Sequence, residues 1–141
     1  MSDNNTSAII SKVWSFCNPL RDIGVGYGDY LEQLTYLLFL KMADEFSKPP
    51  YDRKLLIPKE YNWESLTAKR GDELELHYTK LLSELSRQKG ILGQIFVQSQ
   101  NKIKEPAMLY KIIDMIDKEQ WATLGADIKG TIYEGLLEKN A

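Results

Sequence analysis

The residues whose types and spacing could perform chemistry lie in a glycine-rich stretch of the form D-x-G-x-G-x-G. Its pattern positions are Asp22, Gly24, Gly26 and Gly28. Glycines at this spacing let a backbone approach a cofactor closely, at the turn between a buried strand and a helix. A helix does follow, but the preceding residues 18–21 contain a proline, which disfavours a buried strand. We therefore interpret the stretch as a loop between two helices and predict no cofactor site in it.

Two short segments nevertheless resemble methyltransferase motifs. The glycine-rich stretch resembles the loop that binds S-adenosylmethionine, and Asn18-Pro19 resembles the Asn-Pro-Pro-aromatic motif with which adenine methyltransferases hold a flipped base. Leu20 replaces the second proline of that motif, and the segment lies before the glycines rather than after them. We interpret Asn18-Pro19 as the end of a helix, because the residue before a proline avoids helical backbone.

The remaining reactive side chains form no catalytic or metal-binding set. Cys17 is the only cysteine, which excludes an internal disulfide and a cysteine-based zinc site. His77 is the only histidine, and a lone histidine is more often a surface or boundary residue than a ligand or a base. The carboxylate pairs Asp44-Glu45 and Asp72-Glu73 are expected at helix ends or on polar faces, where solvation explains them. The sequence thus predicts no catalytic residue and no metal site.

The elements that would position these residues are predicted to be helices, since apolar residues recur at helical spacing along most of the chain. A first short helix covers Ile9 to Cys17. A second begins at Asp29, which forms with Glu32 a pair resembling a capping box, and it ends at Lys48-Pro49-Pro50.

The second half of the chain continues this pattern. A third helix is predicted over 72–89, with Asp72 and Glu75 as a capping pair and Gly90 as a left-handed C-terminal cap. Residues 91–96 form a short, largely apolar segment, and its spacing is compatible with either a helix or a strand. Pro106 is expected at the first position of the next helix, and a last helix spans about 126–139. The buried stripe predicted after Pro106 consists of Met108, Leu109, Ile112, Ile113 and Ile116.

Together these segments predict an all-α fold, a single helical bundle of about five or six helices with one long loop. The loop comprises residues 51–70 and carries Tyr61 and Trp63. A connection of this length is usually functional or packed by its own aromatic residues, and we expect Trp63 to pin it to the core. Stacking of Trp63 on a base would require single-stranded or flipped nucleic acid.

The distribution of charge indicates a possible contact surface in the middle of the chain. The formal net charge is −2, which argues against binding of nucleic acid through overall basicity. Residues 48–104, however, contain eleven Lys and Arg against seven Asp and Glu. An ordinary solvated surface and a contact with a phosphate backbone or a protein partner both remain open. The candidate contact residues are Lys48, Arg53, Lys54, Lys59, Lys69 and Arg70.

The chain has the features of a cytoplasmic protein that makes no contact with a membrane. Its longest uncharged apolar run, Tyr36 to Leu40, is far shorter than the roughly 18 residues that span a bilayer. The polar residues 1–6 do not have the basic start of a secretory signal.

Longer segments resemble one protein family from about Trp14 to Ala141. DYLEQLTYLLFLKMADEF, which ends at Phe46, is similar to a helix with an L-L-F-L-K core, and Ile57 to Leu66 is similar to I/V-P-x-x-x-x-W-x-x-L. GILG from Gly90 and PAML from Pro106 resemble a further block, and DIKGTIYEGLL from Asp127 resembles D-[IV]-K-G-x-x-Y-E-x-L-L. These motifs resemble the N-terminal helical domain of the modification subunit of type I restriction-modification DNA methyltransferases.

The resemblance implies a parent protein that transfers a methyl group from S-adenosylmethionine to the exocyclic amine of a flipped adenine. It also implies four partners: a specificity subunit that reads the DNA sequence, a second modification subunit, a restriction subunit and double-stranded DNA. In that family the N-terminal helical domain helps to close the complex around DNA and contacts neighbouring subunits.

The catalytic motifs of the family, F-x-G-x-G and N-P-P-[FY], do not occur before Ala141. We therefore expect residues 1–141 to be one domain, with the catalytic domain following residue 141, and we expect no enzymatic activity from this chain alone. The alternative is a free-standing helical interaction or DNA-binding protein. The last two predicted helices are acidic overall, which argues against a basic recognition helix among them.

Overall fold

The computed structural model describes residues 11, 15, 27–49, 51, 52, 54 and 57–118. This part contains α1 (Tyr27–Phe46), a 3-10 helix (Lys59–Tyr61), α2 (Trp63–Thr67), α3 (Gly71–Ser86), α4 (Ile91–Ile95) and α5 (Pro106–Asp117). None of these residues belongs to a strand, so the predicted all-α fold is confirmed. The predicted helices at Ile9–Cys17 and 126–139 lie outside the described residues, apart from Ser11 and Ser15, whose backbone is helical.

The long helix α1 contributes the most continuous apolar stripe to the core. Its buried leucines are Leu34, Leu37, Leu38 and Leu40. The helix begins at Tyr27, two residues before the predicted start, so the predicted cap at Asp29 is wrong. Asp29 lies instead in the first turn, where a carboxylate interacts favourably with the positive end of the helix dipole.

The connection between α1 and α3 is not the single long loop that the sequence predicted. It contains the 3-10 helix and α2, and Asn62 caps α2 by accepting a hydrogen bond from the backbone N–H of Ser65 at 2.9 Å. Trp63 and Leu66, three residues apart on α2, are both buried. This short helix therefore folds on the core through two side chains, and the predicted anchoring of the connection by Trp63 is confirmed.

Helix α3 is helical as predicted and packs one face on the core, but its ends differ from those predicted. It begins at Gly71, whose φ of +59° suits glycine, and no side chain caps it. The predicted capping pair Asp72–Glu75 is therefore wrong, because Asp72 already lies in the first turn. The helix ends at Ser86 rather than at Lys89. Its buried residues are Leu74, Tyr78, Leu81, Leu82 and Leu85.

The open choice between helix and strand for residues 91–96 is resolved as the short helix α4. Gly90, with a φ of +75°, is the residue before α4 and not the C-terminal cap of α3, so that prediction is wrong. A Cβ atom at Gly93 would collide with the backbone carbonyl oxygen of Gln88. Glycine at this position therefore lets α4 fold back closely on the end of α3.

Helix α5 begins with Pro106 at its first position, as predicted. Four of the five residues of its predicted stripe are buried, whereas Met108 is only half-buried at the edge of the core. Helix α5 packs against α3 and α1, and α1 also packs against α2. The ring of Phe96, which directly follows α4, is fully buried and stacks on Tyr36 of α1, with 5.2 Å between the ring centroids. All the described helices thus share one hydrophobic core.

Candidate functional site

The described residues contain no group of three or more His, Cys, Asp or Glu side chains that could hold a metal ion. Within the same ranges no helix is long and apolar enough to cross a membrane. Of the glycine-rich stretch, Asp22, Gly24 and Gly26 lie outside the described residues. Gly28 belongs to α1, so the end of the predicted loop is helical.

Three of the six candidate contact residues surround α2. The Lys48 ammonium group lies 3.0 Å from a carboxylate oxygen of Asp44 and 3.1 Å from one of Glu64. Lys59 lines an open depression with these two carboxylates. Lys69 donates a hydrogen bond from Nζ to the backbone carbonyl of Ser65, at 3.3 Å. The structure thus brings Lys48, Lys59 and Lys69 together, but on a surface of mixed charge.

Of the other three candidates, the structure describes Lys54 and Arg70. Lys54 is exposed, and Arg53 lies outside the described residues. The guanidinium carbon of Arg70 lies 4.6 Å from the ring centroid of Tyr110 on α5, which is the geometry of a cation–π contact. Among the described candidates, Lys48 is therefore paired with carboxylates and Arg70 with an aromatic ring, and neither belongs to a purely positive patch.

The burial of Asp44 contradicts the expectation that solvation explains the carboxylate pairs. Its exposed fraction is only 5%. Lys48, one turn further along the chain, compensates the charge, and its hydrogen bonds to Asp44 and Glu64 raise the pKa of the Lys48 ammonium group. The sequence signal for this pair was the i,i+4 spacing, and what it could not show was that Asp44 faces inward.

A second charged cluster joins three helices at the end of α5. One carboxylate oxygen of Asp117 accepts a hydrogen bond from Trp63 Nε1 at 2.8 Å and one from Lys41 Nζ at 3.4 Å. Lys41 is itself buried on α1, and its ammonium group lies 3.7 Å from a carboxylate oxygen of Glu45. Asp117 therefore satisfies the indole N–H of a buried tryptophan and part of the charge of a buried lysine.

His77 occupies a boundary position between α3, α2 and the 3-10 helix. Its Nε2 atom lies 2.9 Å from the hydroxyl oxygen of Ser65, and its ring stacks on Tyr61 with 5.8 Å between centroids. Partial burial lowers the pKa of His77, and the positive charges of Lys69 and Lys80 lower it further. Glu73 and a hydrogen bond with the backbone of Glu60 act in the opposite direction. These contacts fix the ring as a structural link, in agreement with the predicted boundary role.

A second polar surface, which the sequence reasoning missed, lies along residues 98–104 between α4 and α5; we refer to it as the 98–104 segment. The buried side chain of Gln33 on α1 donates a hydrogen bond to the backbone carbonyl of Gln100 at 2.9 Å. Gln33 is held in turn by the Tyr78 hydroxyl, which donates to its Oε1 at 2.7 Å. Burial raises the pKa of Tyr78 well above its usual value, so the hydroxyl stays protonated as a donor.

Two inward side chains of the 98–104 segment attach it to α3. The Ser99 hydroxyl donates to the backbone carbonyl of Leu82 at 3.1 Å. The amide nitrogen of Asn101 donates to the Thr79 hydroxyl at 3.0 Å and to Glu75 at 3.3 Å. Asn101 Oδ1 also accepts the backbone N–H of Ile103 at 2.8 Å. The segment has no regular secondary structure, yet hydrogen bonds from two helices hold it in place.

Comparison with known proteins gives consistent results. Residues 9–116 match the family described as HsdM N-terminal domain. The chain is 34% identical over 143 residues to the type I restriction enzyme EcoKI methylase subunit of Escherichia coli K12. It is 32% identical over 142 residues to the StySJI methylase subunit of Salmonella typhimurium LT2. Each alignment covers 97% of this chain but 26% of the relative, so the chain spans about a quarter of the length of the curated relatives it matches.

A solved structure extends the similarity to the fold. The crystal structure of the type I restriction enzyme EcoKI M protein superimposes with a TM-score of 0.70 at 28% sequence identity. The superposition covers 84% of this chain and 24% of that protein.

Proposed function

Because the chain belongs to the HsdM N-terminal domain family, we propose that it is the helical, non-catalytic domain of a type I DNA methyltransferase modification subunit. The observation that carries the proposal is the family match over residues 9–116. In this proposal residues 1–141 form one domain, and the catalytic domain follows residue 141. The relatives are about four times as long as the aligned part, which leaves room for that domain.

In the proposed parent protein, the catalytic domain transfers the methyl group of S-adenosylmethionine to the exocyclic amine of a flipped adenine. The helical domain contributes to the assembly with a specificity subunit, a second modification subunit and a restriction subunit, and it helps to close the complex around double-stranded DNA. Its shared core supports this role, because a rigid body can transmit a closing movement without deforming.

The surface around α2 is the part of the domain that we propose to contact a neighbouring subunit. The proposed contact set remains Lys48, Arg53, Lys54, Lys59, Lys69 and Arg70. Asp44 and Glu64 lie among these residues and partly neutralise them, and a mixed surface suits a protein partner better than a polyanion. A charge reversal there is expected to weaken subunit assembly more than DNA affinity.

The test of the proposed function compares the complete modification subunit with a version that lacks residues 1–141. Each is purified with its specificity subunit, and size-exclusion chromatography, DNA affinity and methyl transfer from S-adenosylmethionine are measured. Deletion is expected to lower DNA affinity by about tenfold or more, equivalent to about 1.4 kcal/mol, while the catalytic domain still binds S-adenosylmethionine. Unchanged assembly, DNA affinity and methyl transfer after the deletion would contradict the proposal.

The contact set has its own matched experiment. The variant Lys48→Glu/Lys59→Glu is compared with Lys89→Glu/Lys111→Glu, which changes the net charge equally at exposed lysines outside the proposed set. The first variant is expected to dissociate from the assembly at higher subunit concentrations than the second. Equal assembly of both variants would remove Lys48 and Lys59 from the proposed set.

A further inference from the structure

The 98–104 segment presents alternate residues to solvent. Gln100, Lys102 and Lys104 are exposed, whereas Asn101 and Ile103 between them are buried. The two lysines therefore lie on the same side of the segment, with at most about 7 Å between their Cα atoms, since two residues can span no more than that. Within the described part of the chain neither lysine forms an ion pair.

Every described residue that lines a groove next to these lysines has a polar or positively charged side chain. Its walls include Thr79 and Ser83 of α3 together with Ser99, Asn101, Lys102 and Lys104. The lining combines hydroxyl, amide and ammonium groups and includes no carboxylate and no apolar side chain from the described ranges. The donor hydrogens of Thr79, Ser99 and Asn101 already form hydrogen bonds within the domain, so the two exposed ammonium groups are the main donors available to phosphate oxygens.

Acidic residues border this surface. Lys102 also lines a neighbouring depression that contains Asp29 and Glu32 of α1. Glu75 lies behind Asn101 and accepts a hydrogen bond from it. A polyanion would be repelled from the α1 side and by the exposed Glu105 next to Lys104, so its favourable contact is with the groove between the two lysines and α3.

We propose that the 98–104 segment binds the phosphate backbone of double-stranded DNA, with Lys102 and Lys104 on phosphates of one strand. The choice of DNA as the polyanion rests on the proposed function. Phosphates of one strand follow one another at about 3.4 Å along the helix axis, which is within reach of two lysines at this separation. The contact positions the domain on the duplex and carries no sequence information.

The lining favours nucleic acid over an acidic protein partner. Protein interfaces obtain their affinity from apolar and aromatic anchors in a dry centre, and no described residue that lines the groove is of this kind. Interfaces with DNA are more polar and more positively charged. The hydrogen bonds from Gln33, Ser99 and Asn101 also hold the segment in position before binding, which lowers the entropic cost of association.

The first experiment follows backbone amide signals of the isotope-labelled 141-residue chain while a short DNA duplex is added at low salt. Signals from residues 98–105 are expected to shift, and the shifts are expected to disappear in Lys102→Gln/Lys104→Gln. The control Lys89→Gln/Lys111→Gln removes two exposed lysines elsewhere, and in this control the DNA-induced shifts are expected to remain. Shifts that are absent from residues 98–105, or that persist in the Lys102/Lys104 variant, overturn the proposal.

Two further titrations test whether the partner is DNA and whether removal of a nearby negative charge strengthens binding. Polyglutamate of the same charge replaces the duplex in the first of these, and stronger shifts with polyglutamate than with DNA would assign the segment to an acidic protein and overturn the proposal. Glu32→Gln removes an exposed negative charge beside Lys102 and is expected to strengthen DNA binding. Unchanged or weaker DNA binding by this variant also counts against the proposal.

A measurement on the complete assembly distinguishes failure of this inference from failure of the proposed function. There the Lys102/Lys104 double variant is expected to reduce the slope of log affinity against log salt concentration by roughly two, because each lost phosphate contact removes about 0.9. An assembly that methylates DNA with an unchanged slope would overturn the inference alone. DNA binding by residues 98–105 in a chain that joins no methyltransferase assembly would overturn the proposed function alone.

Discussion

Asp117 is the last residue of α5, and the two donors on one of its carboxylate oxygens come from α1 and α2. A carboxylate at a helix C-terminus is unfavourable with respect to the helix dipole. The buried Trp63 N–H and the buried Lys41 ammonium group explain why a negative charge is nevertheless useful at this position. The cluster is therefore a structural link between three helices rather than a reactive site.

Replacement of Asp117 by Ala is expected to lower the free energy of unfolding by about 1 kcal/mol, because it leaves the buried indole N–H without its acceptor. Asp114 is the matched control, since it lies in the same last turn but pairs only with the exposed Lys118 at 2.9 Å among the described residues. Asp114→Ala is expected to change the stability by no more than about 0.5 kcal/mol. Urea unfolding of both variants measures the difference, and equal losses would refute the assigned role of Asp117.

His77 is expected to make the stability of the domain depend on pH. Its folded-state pKa is lowered, so below the ordinary histidine pKa of about 6.5 the unfolded chain binds more protons than the folded one. Stability from this residue is therefore present above about pH 6.5 and is lost as the pH falls from there toward the folded-state pKa. His77→Gln, compared with the parent chain by urea unfolding between about pH 7.5 and pH 5.5, is expected to show a weaker loss. Parallel pH profiles for the two proteins would rule out this contribution.

At the scale of elements, the 98–104 segment shows how a stretch without regular structure can be held in place. Asn101 bonds α3 with its amide nitrogen and the backbone of its own segment with its oxygen. Asn101→Ala leaves the buried N–H of Ile103 without an acceptor and is expected to lower the free energy of unfolding by about 1–3 kcal/mol. Gln100→Ala, which truncates an exposed neighbour, is expected to cost at most about 0.5 kcal/mol. Faster hydrogen exchange at Ile103 in Asn101→Ala only would support the assignment, and equal exchange in both variants would contradict it.

The sequence predicted correctly the elements that pack on the shared core through apolar residues. The stripes of α1, α3 and α5 repeat at helical spacing, and this spacing alone identified the three segments as helices. The 98–104 segment also alternates between inside and outside, but two of its inward residues, Ser99 and Asn101, are polar. Their partners are distant in the chain, so hydropathy could not reveal which side faced inward.

Helix ends and charged pairs were predicted less well for a related reason. Several neighbouring residues can each begin a helix, and Tyr27 and Gly71 precede the carboxylates that seemed to be caps. Asp44 shows the same limit for the α2 surface, since its spacing to Lys48 was readable and its burial was not. Of the six candidate contact residues, the sequence indicated the region but not the acidic groups mixed into it.

At the scale of the molecule, the described helices share a single core and are expected to unfold together. Leu37 has an exposed fraction of 0%, and Leu37→Ala is expected to lower the free energy of unfolding by about 2–5 kcal/mol. Leu76 lies on α3 with 66% of its surface exposed, so Leu76→Ala is expected to change it by at most about 0.5 kcal/mol. The free energy of unfolding of both variants is measured by circular dichroism and tryptophan fluorescence in urea. Two separate transitions, or equal effects of the two substitutions, would contradict a single cooperative core.

The alternation of the 98–104 segment also bears on how its gene could change. Loss or gain of one codon between Ser99 and Lys104 would reverse the orientation of the residues that follow it within the segment, exposing Ile103 and turning a lysine toward the core. Changes of residue type at the outward positions would leave the hydrogen bonds to α1 and α3 untouched. Selection should therefore preserve the length of this segment more strictly than its composition, and natural variants that differ in length should differ there by two residues.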